Sequence, residues 1–522
     1  MKKNLIVLSI LTILYSCNSN RVDISVKNGI QINGATIVTY DNSGNLKEFR
    51  GNIVIDSGDI VYVGEEKPKV NGECTTINGN NKYVIPGLID SHVHLANVAG
   101  MNFRQQKKYP DLVEGYFEQL PRSFLFHGYT TLVDLNNYAP QRIDKILKEK
   151  IRPDIYTCGE MISVMNDFTM EMEEYPQEVR LKLPFVHDHY NEHVHIPDSI
   201  DLKPHSVSSI VKNIIEDQNG ICIKALYEDA SSGLKETWQK PSTGILSDIA
   251  GEARAFGIVS IIHAPSMEGQ QAALKAGMDI IAHGMWNWSS DPLKITQTDF
   301  SVDHKKLLDE IVEAKIGYQP TYRAITSEID VLSGNFLTDT SLVNVLPRPY
   351  IDWLKTDEGN WFLKRMLNRP NYLKKTNPEF FEKVRSQFVS DSAMRDSIYT
   401  VLKTRIDKVT RYLADNDANL LFGTDFGVMN IYTSPPGYSG FLEMNHWAEA
   451  GVSLEVIFKA ATYNNAKALD LDYLYGSIVS GKIANLLILD SNPLEDIQAY
   501  NDIDSIVLHG EIISRKSLLA NQ

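Results

Sequence analysis

The sequence has no basic excess, few cysteines and no long apolar run. Its 51 lysines and arginines are outnumbered by 66 aspartates and glutamates, a net charge of -15. That excludes the basic patch a nucleic-acid footprint requires. Only four cysteines occur in 522 residues. Beyond Cys17, the three at Cys74, Cys158 and Cys222 are too few for a disulfide framework and match no zinc spacing. Cys222 is therefore expected as a small, buried apolar side chain. No stretch reaches the roughly 20 apolar residues of a membrane-spanning helix, and no internal repeat or low-complexity tract occurs.

The chain begins with an address. Lys2-Lys3 supply a positive start and Leu5 to Leu14 a short apolar run, the pattern of a targeting segment over residues 1–17. Leu14-Tyr15-Ser16-Cys17 resembles a bacterial lipoprotein cleavage box, which implies lipidation of Cys17 and a cell-envelope location, periplasmic or outer-membrane; an ordinary cleaved signal is the alternative. The lipid would be the only membrane contact.

The most informative stretch is Val84-Ile85-Pro86-Gly87-Leu88-Ile89-Asp90-Ser91-His92-Val93-His94. Side chains i and i+2 of a strand share a face, so His92 and His94 project together from its end. Two neutral imidazoles make half of a metal site. Four later apolar runs each close on a comparable side chain: Ile221 to Lys224, Ile258 to His263, Asp279 to His283 and Asn419 to Asp425. Helical spacing with glycine stops separates several of them, at Ser242 to Gly257 and Gly269 to Gly277. Strands alternating with helices predict a parallel α/β fold.

These motifs resemble the amidohydrolase superfamily, on the branch of imidazolonepropionase-like and metal-dependent, prolidase-type enzymes. The resemblance runs from about Ile30 to Gly510. It is carried by Pro86 to His94, His127 to Asp134, Ala276 to Gly284, Gly423-Thr424-Asp425, Ala460-Ala461-Thr462 and Gly476 to Leu486. It implies a (β/α)8 barrel over residues 86–475, with functional residues at the C-terminal strand ends. It also implies a small discontinuous β-sandwich built from residues 22–85 and 476–516. Two long insertions, about 165–209 and 323–410, are expected to border the mouth of the site. Barrel strands are expected to end near His94, Leu135, Cys158, Lys224, His263, His283, Pro320 and Asp425.

By the same resemblance, two divalent metal ions, zinc, are expected. His92, His94 and Asp425 would hold the more buried ion, and His263 and His283 the more exposed one. Lys224, carboxylated by CO2 to a carbamate, would bridge them; a plain ammonium paired with Asp425, with one metal, is the alternative. The expected reaction is attack of a metal-bridging hydroxide on a C–N amide bond in a peptide-like or N-acyl substrate, with Asp425 moving the proton. A cyclic amide, lactone or ester would suit the same centre. A non-catalytic lipoprotein that binds metal or ligand is the reading from another class.

Tyr227 is expected to donate to a tetrahedral oxyanion, and Arg323 with Tyr322 to hold a substrate carboxylate. The run His187 to His195 is a histidine-rich loop for which substrate contact is favoured over a second metal site. The dipeptidase relatives carry a glycine- and histidine-rich run where Gly159-Glu160-Met161-Ile162-Ser163 stands here. They carry an arginine-aspartate-glycine pattern where this chain has Asp134-Leu135-Asn136-Asn137, so the substrate is expected to differ. Self-association is compatible with the sequence.

Overall fold

The computed structural model describes residues 22–172, 176–191, 194, 196–229 and 238–520. Residues 1–17, with the expected lipidation at Cys17, lie outside them. Five strands open the chain: β1 (Asp23–Tyr40), β2 (Leu46–Asp56), β3 (Asp59–Gly64), β4 (Lys69–Asn78) and β5 (Tyr83–Pro86). Seven short strands follow: β6 (Leu88–Val93), β7 (Tyr129–Asp134), β8 (Asp154–Thr157), β9 (Cys222–Leu226), β10 (Val259–His263), β11 (Ile280–Ala282) and β12 (Gly317–Gln319). The chain closes with β13 (Leu486–Leu489), β14 (Ile503–Leu508) and β15 (Glu511–Ser514).

Strands from both ends of the chain share one sheet, ordered β15-β14-β13-β5-β1-β2-β3, with β4 also on β1. The long β1 makes this work. Along one edge it pairs antiparallel with β2; along the other its first part pairs with β4 and its last with β5, both parallel. The register shifts between Asn33 and Ala35, where Gly34 takes φ 71, a value glycine adopts at little cost. Ile32, Ile37, Ile53, Val84, Leu486, Ile488 and Val507 form the buried core of this unit.

The central strands are parallel in two ladders, β6-β7-β8 and β9-β10-β11-β12. Every position of β6, β7 and β9 is buried, as expected of parallel strands covered on both faces. Helices Thr243–Ala255 and Met267–Ala276 follow β9 and β10; Ser242 and Ser266 cap their N-termini, and Gly277 ends the second at φ 72. These are the physical forms of the predicted helical stretches. Residues 419–426 run between the ladders: Leu421 N–H donates to Tyr318 O (2.9 Å), Ser91 N–H to Phe422 O (3.2 Å) and His94 N–H to Phe426 O (2.8 Å). The other joint, β8 to β9, is carried by Ile221 N–H to Thr157 O (2.9 Å) and Ile162 N–H to Lys224 O (2.7 Å).

At that joint the structure corrects the cysteine reading. Cys158 and Cys222 form a disulfide with Cα atoms 4.4 Å apart. Cys222 is buried, but not as a free thiol. The bridge depends on β8 and β9 lying side by side, which a spacing of 64 residues does not reveal. Cys74 is a free, half-buried cysteine.

The expected insertions carry short helices at Phe168–Met172 and Gln177–Arg180, and a helical array from Arg323–Ser333 to the long Asp391–Asp415. Among the described residues, no helix is long and apolar enough to cross a membrane.

Asp154, at the start of β8, ties the central ladder to the C-terminal segment. It accepts hydrogen bonds from Tyr475 Oη (2.9 Å), Asn485 Nδ2 (2.8 Å) and His509 Nε2 (2.8 Å). The Asp154 hydrogen bond raises the His509 pKa above its ordinary value. A raised folded-state pKa gives stability that is full below the unfolded pKa of about 6.5 and is lost as pH rises through the folded value. His509→Ala should therefore lower the melting temperature more at about pH 6 than at about pH 9. Equal losses at both would refute this coupling.

Candidate metal centre

His92 and His94 leave β6 on one face, and the chain at residues 423–425 approaches them so closely that a Cβ on Gly423 would lie 2.6 Å from the Cβ of His92. The imidazole Nε2 atoms of His92 and His94 lie 3.2 and 3.0 Å from Asp425 Oδ1. His283 joins from the end of β11: donor atoms of His92, His283 and Asp425 all lie within 4.8 Å of one another, and all three residues are buried. The His263 ring stands 4.4 Å from that of His283, and His283 5.1 Å from His92. His283 and Asp425 hold left-handed backbone (φ 82 and 57), as does Thr321 at φ 45. Each such residue costs of order 1–3 kcal/mol and persists only where its surroundings impose it.

Hydrogen bonds around the cluster fix which nitrogens face inward. Ser91 Oγ donates to Phe422 O (2.7 Å) and so accepts from Gln319 Nε2 (2.8 Å). That turns Gln319 Oε1 towards His92 Nδ1, 3.0 Å away, and makes Nδ1 the protonated nitrogen. Burial pushes the His92 pKa down to about 3, so the ring is neutral. Its Nε2 lone pair therefore points at a carboxylate oxygen. Two lone pairs at that distance repel unless a cation sits against both, and the donor set fits a divalent ion. His283 Nδ1 lies 2.9 Å from Thr321 Oγ1, an arrangement that again leaves Nε2 for a ligand.

Lys224 is 2 % exposed, and its Nζ has no hydrogen-bond partner among the described residues. Burial lowers its pKa to about 7, opposed by Asp425. An unpaired buried ammonium is costly; a neutral amine is both cheaper and able to attack CO2. Asp90 ties the two halves of the site together. It accepts from Thr424 Oγ1 (2.7 Å) and N–H (3.1 Å) and from His92 N–H (3.2 Å).

Three expected residues do other work. Tyr227 Oη donates to Glu268 (2.7 Å) on the helix after β10. Arg323 is 1 % exposed; its guanidinium binds Asp330 (2.7 Å), Thr326 (3.2 Å) and the Thr433 carbonyl. It ties its helix to the loop at Thr433, which replaces the expected substrate clamp. Tyr322 is fully buried and stacks 5.9 Å from His446, so it too is a packing residue. In the histidine-rich run, His189 stacks on Tyr190 at 4.1 Å. Residues 192, 193 and 195 lie outside the described residues, and among the described ones no group of three metal-competent side chains forms there.

Gln319, Thr321 and Glu228 belong to the site but are missing from the sequence reading. Gln319 and Thr321 are not metal-type residues, and their only signal is their place at the end of β12. Glu228 Oε2 lies 3.2 Å from His263 Nε2; its signal was parity, since it shares a strand face with Lys224.

Fold and site define a parallel α/β protein with histidines and a carboxylate gathered at strand ends. Residues 83–346 and 351–513 match the amidohydrolase family, and the chain belongs to it. Imidazolonepropionase from Christiangramia forsetii is 32% identical over 107 residues, 20% of this chain and 25% of that protein; the chain thus spans about a quarter of the length of this curated relative. Among solved structures, a Xaa-Pro dipeptidase with methionine in its active site superposes with TM-score 0.59 at 19% identity, covering 93% of this chain and 100% of that one. Molinate hydrolase gives 0.61 at 16% identity, covering 95% and 97%. A. niger ochratoxinase gives 0.59 at 18% identity, covering 94% and 96%. At these identities the likeness establishes a shared fold.

Proposed function

We propose that this chain is a metal-dependent hydrolase of a C–N amide bond in a peptide-like or N-acyl compound, built on a closed (β/α)8 barrel. The carrying observation is that His92 Nε2 lies 3.2 Å from Asp425 Oδ1 while Gln319 Oε1, 3.0 Å from Nδ1, takes up the proton on the other ring nitrogen. His92, His94 and Asp425 would hold one divalent ion, zinc, and His263 and His283 a second. The carbamate of Lys224 would offer one oxygen to each. Ions held there polarise a scissile carbonyl and let water act as a nucleophile at neutral pH. Asp425 accepts the proton released by the attacking water and returns it to the leaving nitrogen. Gln319 holds His92 in the required tautomer, and Thr321 orients the His283 ring. The dipeptidase and ochratoxinase among the similar structures support an amide substrate. The resemblance at Cys17 supports a lipid-anchored protein of the cell envelope, as does the internal disulfide, a bond that persists in oxidising compartments.

Lys224→Ala should lower bound metal and turnover together, measured by elemental analysis and a panel of N-acyl amino acids, dipeptides and lactones. Unchanged metal content in that variant removes the two-ion centre. Two bound ions with no turnover on the panel favour a binding protein.

A further inference from the structure

Beyond the six side chains above, we infer that Glu228 is a ligand of the more exposed ion, beside His263 and His283. The inference rests on the two-ion reading. Strand alternation places Lys224, Leu226 and Glu228 on one face of the chain and Tyr227 on the other, where Tyr227 meets Glu268. The ladder continues past its last paired residues, Leu226 and His263: Tyr227 N–H donates to His263 O at 2.9 Å. That extra bond sets Glu228 beside the His263 ring.

The carboxylate is well placed, and its backbone is held. Its side chain is 12% exposed, and Oε2 stands 3.2 Å from His263 Nε2. Two donors on one tetrahedral zinc, at ~2.0–2.2 Å each, lie about 3.3 Å apart. The same spacing separates His92 Nε2 from Asp425 Oδ1 (3.2 Å). Behind it, Trp238 Nε1 donates to the Glu228 carbonyl (2.7 Å), and the Trp238 ring packs edge-on against Phe168 at 5.0 Å. Charge argues the same way. Two divalent ions bring four positive charges, and Asp425 with a Lys224 carbamate returns two. A third carboxylate lowers the remaining excess in a largely buried site.

The test is metal binding by the full-length protein, stripped with a chelator and titrated with Zn(II), then with Co(II) to read the visible ligand-field bands. Wild type should take two equivalents. Glu228→Gln, which keeps the volume, should take the first with unchanged affinity and bind the second at least about tenfold more weakly, with altered Co(II) bands for that ion only. Glu228→Asp should recover part of the loss. Melting of the metal-free proteins, equal for wild type and variants, shows that the fold is intact. Two equivalents at wild-type affinity with unchanged Co(II) bands in Glu228→Gln overturn the inference. A wild type that binds fewer than two ions overturns the two-ion reading itself, and this inference with it.

Discussion

Asp425→Asn is expected to lower turnover per bound metal by about three to four orders of magnitude, the upper range for losing a positioned proton carrier. Asparagine has nearly the same shape and tolerates the left-handed backbone at this position better than most residues. It keeps a side-chain oxygen where Oδ1 faces the His92 and His94 rings, so the local fold should survive. It cannot take up the proton of the attacking water. Rate divided by metal content separates this loss from weaker metal binding. A variant within tenfold of wild type on that scale would show that Asp425 is not the proton carrier.

The second large effect concerns stability. Replacing both Cys158 and Cys222 by serine removes the covalent link across the β8–β9 joint, where the ladder is carried by few backbone hydrogen bonds. With the cysteines 64 positions apart in sequence, the loop-closure model puts the cost at about 4 kcal/mol. Two buried hydroxyls in an apolar cluster that includes Ile89, Ile261 and Ile280 add to it. The midpoint of chemical unfolding should fall accordingly. Since Lys224 lies two residues along β9, the metal affinity of the folded fraction should fall too. Free thiols at Cys158 and Cys222 in the folded protein, or an unchanged midpoint, would refute this role.

The legibility of the sequence follows from the physics of each residue. His92, His94, His263, His283 and Asp425 each close a recognisable apolar run, which places them at strand ends; their grouping around one centre is what the family resemblance adds. Seven of the eight expected strands end at Val93, Asp134, Thr157, Leu226, His263, Ala282 and Gln319, within two residues of the expected positions; the eighth, expected to end near Asp425, is reduced to isolated bridges at Leu420 and Phe426. Glu228 is absent from the sequence reading, although alternation along the chain places it on the same face as Lys224. Arg323 was read as a surface clamp because its partners Asp330 and Thr433 come from packing that no local pattern encodes. The disulfide was missed for the same reason. Gln319 shows a further limit: an amide carries no metal signature, and its role in setting the His92 tautomer exists only through Ser91 and Phe422.

The shared terminal sheet bears on how a ribosome must deliver this chain. β5 pairs on one side with β1, made early, and on the other with β13, made some four hundred residues later. Until Leu486–Leu489 emerges, β5 offers an open edge to any passing strand. Contacts so distant in sequence also form slowly. A nascent or C-terminally clipped chain is therefore the form most exposed to aggregation, whatever the state of its metal site.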